Sequence, residues 1–295
     1  MPSSVVYDAT LGGVTLKQVR SSAYATNNVI ATDYTSGGVD PDAHYLVQAT
    51  PQVMFTSGDL DGVIDGFTSN ERLAVASGTI TVPYNLRANG GTFASGTAHD
   101  TLDGTDALFV IQSYTASQGE ADGSSVSIAG YFISTDGETA PVSVSTSQTL
   151  SSAAYNATHK LGPVTVNGSA VSGITRVTVN TGITVENEFV EGDTYPTANY
   201  ITRRAPTIDI TGRYMSLFTT LGPIFTTQTA CVIKFRKRAV GGTVVSGATS
   251  AHLSFTAADG IVSVEQVSAS GNAAGEVTLR LHCEALTIAS TATIS

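Results

Sequence analysis

The 295-residue sequence contains no tryptophan, two cysteines, three methionines and nine prolines, and only 13% of its residues are charged. Each scarcity excludes something. Two thiols, Cys231 and Cys283, cannot form a disulfide framework in so long a chain. Each lies in an apolar run, "ACVIKF" or "LRLHCEAL", where a buried free thiol is the ordinary state of cysteine. The missing tryptophan weakens a reading as a two-domain carbohydrate-binding β module, a class that usually exposes Trp and Tyr to stack on sugars. Lys and Arg total 14 against 24 Asp and Glu, a formal net charge of -10. A protein that grips nucleic acid through its phosphates needs a basic face, so that class is disfavoured. A surface past which nucleic acid slides without sticking is not. No apolar run approaches membrane-spanning length, so no membrane anchoring is expected. The opening "MPSSVVYDATLGG" has no basic region followed by an apolar stretch, and no secretory signal is expected. Asn156-Ala-Thr158 and Asn167-Gly-Ser169 then read as turn chemistry rather than glycosylation acceptors.

What is plentiful points to strands. Hydrophobic residues make up 41% of the chain and glycine contributes 29 positions, and no long stretch has the spacing of an amphipathic helix. In "EVTLRLHCEAL" one face takes Val277, Leu279, Leu281, Cys283 and Ala285, the other Thr278, Arg280, His282 and Glu284. In "PTIDIT" Ile208 and Ile210 point inward and Asp209 outward; in "VIKFRKR" Ile233 and Phe235 point inward, with Lys234, Arg236 and Arg238 outward. Val177 and Val179 share a face of "RVTVN". These are half-buried antiparallel strands. Short helices are expected at "DLDGVIDGF" (Asp59–Phe67) and "RYMSLFTTL" (Arg213–Leu221). The fold class is all-β, mainly strand with short helices.

The sequence also repeats. "RANGGTFASG" from Arg87 and "RAVGGTVVSG" from Arg238 agree at seven of ten positions, 151 residues apart. "PDAHYLVQATPQVMFT" from Pro41 and "PTANYITRRAPTIDIT" from Pro196 share Pro, Ala, Tyr, Pro and Thr at a spacing of 155. "VVYDATLGGVT" from Val5 and "TVNGSAVSGIT" from Thr165 align at 160, setting Gly13 beside Gly173. Weaker matches follow, "YTASQG" with "VSASGN" and "SVSIAGYF" with "EVTLRLHC". Constant order with drifting spacing implies two tandem β-sandwich or barrel domains from an internal duplication, residues 1–150 and 151–295. The second begins with a Ser/Thr/Ala-rich linker and its core starts near residue 160. The paired glycines Gly90-Gly91 and Gly241-Gly242 read as hairpin turns. Each half also carries a long irregular stretch, about Ser22–Pro51 and Glu186–Pro206, and loops of that length are usually functional or disordered.

The stretch "VTVNTGITVENEFVEGDTYPTANYITRRAPTIDITGRYMSLFTTL", Val177–Leu221, resembles the tail tube proteins of long-tailed bacteriophages. The shared order is a strand (Val177–Val179), an acidic Asn-containing turn (Glu186–Glu188), a long loop with Tyr195-Pro196, a strand ending in an Ile-x-Gly step (Ile208–Gly212), and a short helix (Tyr214–Leu221). The resemblance implies two packed sheets with one flanking helix. It also implies rings of six domains whose inner sheets join around a channel, and stacked rings through which DNA is ejected. A duplicated chain would supply such a ring with three copies. The resemblance therefore implies a virion structural protein, assembled in the host cytoplasm, that partners copies of itself and other tail proteins, passes DNA without specific binding and needs no cofactor. A tail-tip or hub component with two tube domains has the same layout. The long loops would reach the next ring, which places Pro41, Tyr45, Tyr195, Pro196, Tyr200, Arg203 and Arg204 at an interface, and Tyr and Arg are enriched there. In an acidic chain the basic run Lys234, Arg236 and Arg238 suits subunit contact better than DNA. Asp209 and Glu284 are the expected channel-lining residues, since like charge opposes sticking.

Other motifs point to chemistry weakly. Asp59, Asp61 and Asp65 hint at a calcium loop but lack its closing Glu, and acidic residues also suit a helix N-terminus. His99-Asp100 suggests half of a catalytic pair. The five histidines (His44, His99, His159, His252, His282) are scattered, and no Gly-x-Ser-x-Gly elbow accompanies them, so no enzyme is expected. "RANGGTFASG" has no phosphate-loop Lys.

Overall fold

A computed structural model describes residues 3–6, 8–36, 38–67, 74–87, 99–119, 123–149, 157–213, 225–269 and 275–294. It is an all-β protein built from large antiparallel sheets. Residues 3–148 carry β1 (Ser3–Val6), β2 (Ala9–Leu11), β3 (Val14–Leu16), β4 (Val19–Ala25), β5 (Val29–Asp33), β6 (Ala43–Gln48), β7 (Gln52–Ser57), α1 (Leu60–Gly66), β8 (Ala74–Ser77), β9 (Ile80–Arg87), β10 (His99–Gly104), β11 (Ala107–Ser117), β12 (Ser125–Phe132) and β13 (Val142–Gln148). Residues 158–292 carry β14 (Thr158–Val166), β15 (Ser169–Val171), β16 (Ile174–Asn180), β17 (Ile183–Glu188), β18 (Ala198–Arg204), β19 (Thr207–Gly212), β20 (Phe225–Arg238), β21 (His252–Ser268) and β22 (Glu276–Ala292). The helix expected at Arg213–Leu221, the turn at Gly90-Gly91 and most of the linker lie outside the described residues.

The two runs share one ladder pattern. β4 pairs with β7, β7 with β12 and β12 with β11. In the same way β16 pairs with β19, β19 with β22 and β22 with β21. β9 lies between β10 and β1 with β2, as β20 lies between β21 and β14. β5–β6 and β17–β18 each form a separate two-stranded hairpin.

Registers agree residue by residue. Tyr24 faces Val53 as Val179 faces Ile208, and Ser3 faces Arg87 as Thr158 faces Arg238. The turn joining Leu11 to Val14 is Gly12-Gly13, and that joining Val166 to Ser169 is Asn167-Gly168, all four residues at positive φ. That is the demand of a two-residue hairpin turn following the strand twist. Gly13 therefore stands where Gly168 stands, and the sequence match of Gly13 to Gly173 was five residues out of phase. Gly173 also has positive φ, so glycine alone could not choose between them.

The sheets form two layers. One long layer runs β4-β7-β12-β11-β16-β19-β22-β21 through both halves. Behind it lies, in the first half, the β13-β10-β9-β2-β3 sheet. In the second half the far ends of β20, β21 and β22 with β14 and β15 play that part. Strand alternation fills the space between: Val53, Phe55, Val126, Ile128, Ile208, Ile210, Val277 and Leu279 are buried in one contiguous core, each worth about 1.5–3 kcal/mol of burial. α1 adds Leu60, Val63 and Ile64 to that core. Asp59 caps it, accepting a hydrogen bond from the Gly62 amide at 3.1 Å.

β21 and β22 pass from one layer to the other at a corner, where Asp259 and Gly260 take positive φ. A Cβ at Gly260 would lie 2.0 Å from the His282 carbonyl oxygen, so only glycine fits. The corner breaks the alternation: Cys283 is buried, Ala285 exposed and Leu286 buried again. The expected placing of Ala285 on the core face is thus corrected. In the first half the strands are interrupted at the same corner, β10 giving way to β11 and β12 to β13 across connecting residues.

Candidate functional site

Three surfaces stand out: the seam between the halves, the open face of the long layer, and the two hairpins.

At the seam, β11 pairs antiparallel with β16, Ser113 facing Asn180, Tyr114 facing Val179 and Ser117 facing Arg176. The edge is sealed by Thr181, whose amide donates to Gln112 O (3.0 Å) and whose hydroxyl donates to Ile111 O (2.6 Å). Tyr114 and Val179 are fully buried. The Tyr114 ring lies 5.0 Å from that of Phe255, which lies 4.8 Å from Phe235, within the range of favourable aromatic pairing. The contact is head to tail: β11 of one half meets β16, the strand that corresponds by ladder position to β4, and β4 itself is left at the end of the sheet.

The open face of the long layer is polar and nearly free of net charge. One cross-strand row reads Ser21, Thr56, Ser127, Ser113, Asn180, Thr207, His282, across seven strands of both halves. Neighbouring hydroxyls meet at 3.3 Å in Thr115–Thr178 and Thr211–Thr278. Asp209 lies on this face, as its alternation implies. Its charge is matched: Arg280 Nε and Nη2 donate to its two carboxylate oxygens at 2.7 and 3.2 Å, and Asn180 Nδ2 donates at 3.3 Å. Asp209 in turn raises the Arg280 pKa further. Glu284 is exposed at the corner.

The basic run lies in the other layer, on β20. Lys234 Nζ donates to Thr293 O at 2.8 Å, and Arg236 Nε to Val245 O at 3.3 Å. Both therefore tie down their own chain, and Arg238 pairs through its backbone with Thr158. Between these residues Lys237 Nζ reaches Asp61 Oδ2 of α1 at 2.8 Å. Asp61 Oδ1 is 3.4 Å from Nε2 of His159. His159 is wholly buried, with no hydrogen-bond partner for either ring nitrogen. Burial pushes its pKa down to about 4, against the pull of Asp61. Asp59 and Asp61 are thus a helix cap and an ion-pair partner.

The hairpins differ. The first exposes Val29, Ile30, Tyr34, Val39, Tyr45, Leu46 and Val47, with Pro41 at its exposed tip. The second exposes Glu186, Glu188, Tyr200 and Arg203, with Arg204 half-buried, and Glu188 bonding Tyr200 raises that phenol's pKa. Tyr195 and Pro196 lie in the 189–197 connection at its tip, and this tip is packed on the chain's own loop 133–141: the amides of Thr194 and Tyr195 donate to Gly137 O at 2.9 and 2.8 Å, and Ser134 N donates to Pro196 O at 2.8 Å. Asp136 shapes this loop by accepting from the amide and hydroxyl of Thr139, the hydroxyl of Ser134 and the amide of Glu138, which hold its carboxyl far below the usual range. A shallow cleft of about 140 Å³ opens beside Tyr195, Tyr24 and Leu46, smaller than ordinary ligand pockets of about 300–1,000 Å³.

Sequence reasoning missed Tyr24, Thr181 and Val267 as edge residues. Their only signal was phase: Tyr24 shares the face of Val53, and Val267 that of Val277. No protein-family model and no curated protein matches this chain.

Proposed function

We propose that this chain is a structural, non-enzymatic bacteriophage tail protein. It is a tandem duplication of one tube domain, and its copies assemble into stacked rings that form the tail tube. The observation that carries this reading is the head-to-tail seam. A contact in which one element meets a different element of a like unit is heterologous, and its repetition must close into a ring or run on as a filament. Here one such contact lies inside the chain, and among the described residues the reciprocal edges, β4 and the end of β21, have no further strand partner.

The polar face supports the conduit. DNA must pass without being held, and each fixed phosphate contact would add salt-dependent affinity. A wall of Ser, Thr and Asn with its main carboxylate already matched by Arg280 offers neither a basic grip nor strong repulsion. The two hairpins, which leave the layers as separate ribbons, would bridge ring to ring. The test is negative-stain microscopy of the purified chain. Rings or tubes with a central channel are expected. Particles that stay dispersed and monomeric at high concentration would reject the reading.

A further inference from the structure

We infer that a second copy of this chain docks edge to edge, with β4 of one copy pairing antiparallel with the end of β21 of the next in a defined register. In this register Tyr24 faces Val267, Ala25 faces Gln266 and Ala23 faces Ser268. The inference rests on the reading above and fixes the residues of its contact.

The register comes from the seam within the chain. Val110 closes the β8 ladder opposite Ala74, and beyond it β11 turns to β16. At the same ladder position Ser263 closes the β20 ladder opposite Phe225. Beyond it, among the described residues, 264–268 pair on one side only, with β22. Tyr114 faces Val126 on β12 as Val267 faces Val277 on β22. Val179 faces Ile208 on β19 as Tyr24 faces Val53 on β7. The buried pair Tyr114–Val179 therefore has as its counterpart Val267–Tyr24, an aromatic and a valine exchanged across the seam, which conserves volume.

Exposure points the same way. Tyr24 and Val267 lie on the core face of their strands, opposite the buried Val53 and Val277, yet they are 36% and 45% exposed. Tyr114 and Val179 are 0% exposed. A core-facing apolar side chain left open at a sheet edge lacks its covering strand. The seat for Val267 is also present. Phe255, backed by Phe235, covers Tyr114 from the second layer, and by ladder position Leu102 and Tyr84 stand in their places. Thr181, which seals the inner seam, has its counterpart in another threonine, the exposed Thr26, followed by Asn27 at positive φ as Thr181 is followed by Gly182. Thr26 is placed to donate to the Val264 and Glu265 carbonyls of the neighbour.

The test is site-directed cross-linking of the full chain, with Ala23→Cys and Ser268→Cys in one molecule. Their counterparts Thr115 and Thr178 approach to 3.3 Å at the inner seam. Mild oxidation should link most chains into multimers on a non-reducing gel. Ala23→Cys with Gln266→Cys, two residues out of register, should link at least tenfold less. Val267→Asp should leave a folded monomer, with strand content and melting temperature unchanged, that forms no rings. If the parent chain forms rings but the displaced pair links as well as the matched pair, or Val267→Asp assembles normally, the register is wrong while the tube reading stands. A parent chain that forms no assemblies overturns both.

Discussion

His159 is enclosed on every side, with Asp61, Lys237, His252 and Asp59 as the charged or titratable groups around it. Its neutral form is the one the fold accepts. Unfolded, it would take a proton near pH 6.5; folded, only near 4. The unfolded state thus binds the extra proton first. The stability associated with His159 is complete above pH 6.5, falls as pH drops towards 4, and totals about 3 kcal/mol. Urea unfolding at pH 7.5 and pH 4.5 should show that loss, and His159→Phe should remove much of the difference. An unchanged pH dependence in that variant would place the effect elsewhere. The two thiols make a second residue-scale case. Burial pushes Cys231 up to about 12 and Cys283 up to about 11, so neither supplies much thiolate. Both should resist a maleimide at pH 7.5 for hours and react within minutes in denaturant, read by mass. Rapid labelling of the native protein would contradict their burial. At this scale the sequence was legible wherever alternation was unbroken, as in Ile208, Asp209 and Ile210. It failed at Ala285, because a corner made by Asp259 and Gly260 in the neighbouring strand cannot be seen from β22.

Hairpins show where pattern reading stops for elements. Strands over a core announce themselves by period, because one face is buried. β5 and β6 have no core beneath them, so their apolar residues appear on both faces and the stretch 22–51 read as an irregular loop. Only the turn-rich tip was truly so. The second hairpin hides a contact that no pattern announces: Tyr195-Pro196 lies in its loop, as read, yet that loop is fixed to Gly137 of the same chain. Replacing 34–42 by Asn-Gly keeps the Asp33–Ala43 register and supplies the preferred two-residue turn. It should change stability by no more than about 0.5 kcal/mol. The variant should form single rings or short stacks, counted by microscopy, and normal tubes would remove the first hairpin from the ring-to-ring contact. Removing 192–200 is different. It deletes the amides of Thr194 and Tyr195 and should cost about 1–3 kcal/mol in thermal or urea unfolding, because a part of the fold goes with it.

For the whole molecule the prediction concerns symmetry. On the proposed tube reading, two halves with one ladder pattern, joined by a heterologous contact, should make a ring of three chains that is nearly sixfold, with like strands about sixty degrees apart. Covalent joining makes alternate seams intramolecular, which raises the effective concentration of the neighbour and eases closure. The halves are not interchangeable, and the structure says where the symmetry must break. The loop 133–141 stands between β12 and β13, while β22 runs through the same place without interruption. The cluster of Asp61, His159 and Lys237 bridges the halves once per chain. At the matching ladder positions the first half has Ser4 and Leu86 instead of His159 and Lys237. The seam between chains therefore lacks the His159–Lys237 side of that ion pair. An unbiased reconstruction of the ring should show sixfold order in the strands of the channel wall and threefold order in the loop density outside it. Mild acid should loosen only the three seams inside the chains, where His159 is buried, and since those halves stay covalently linked the ring should release no chain until the fold itself is lost. Six chains per ring, or six equal loop densities, would refute the arrangement.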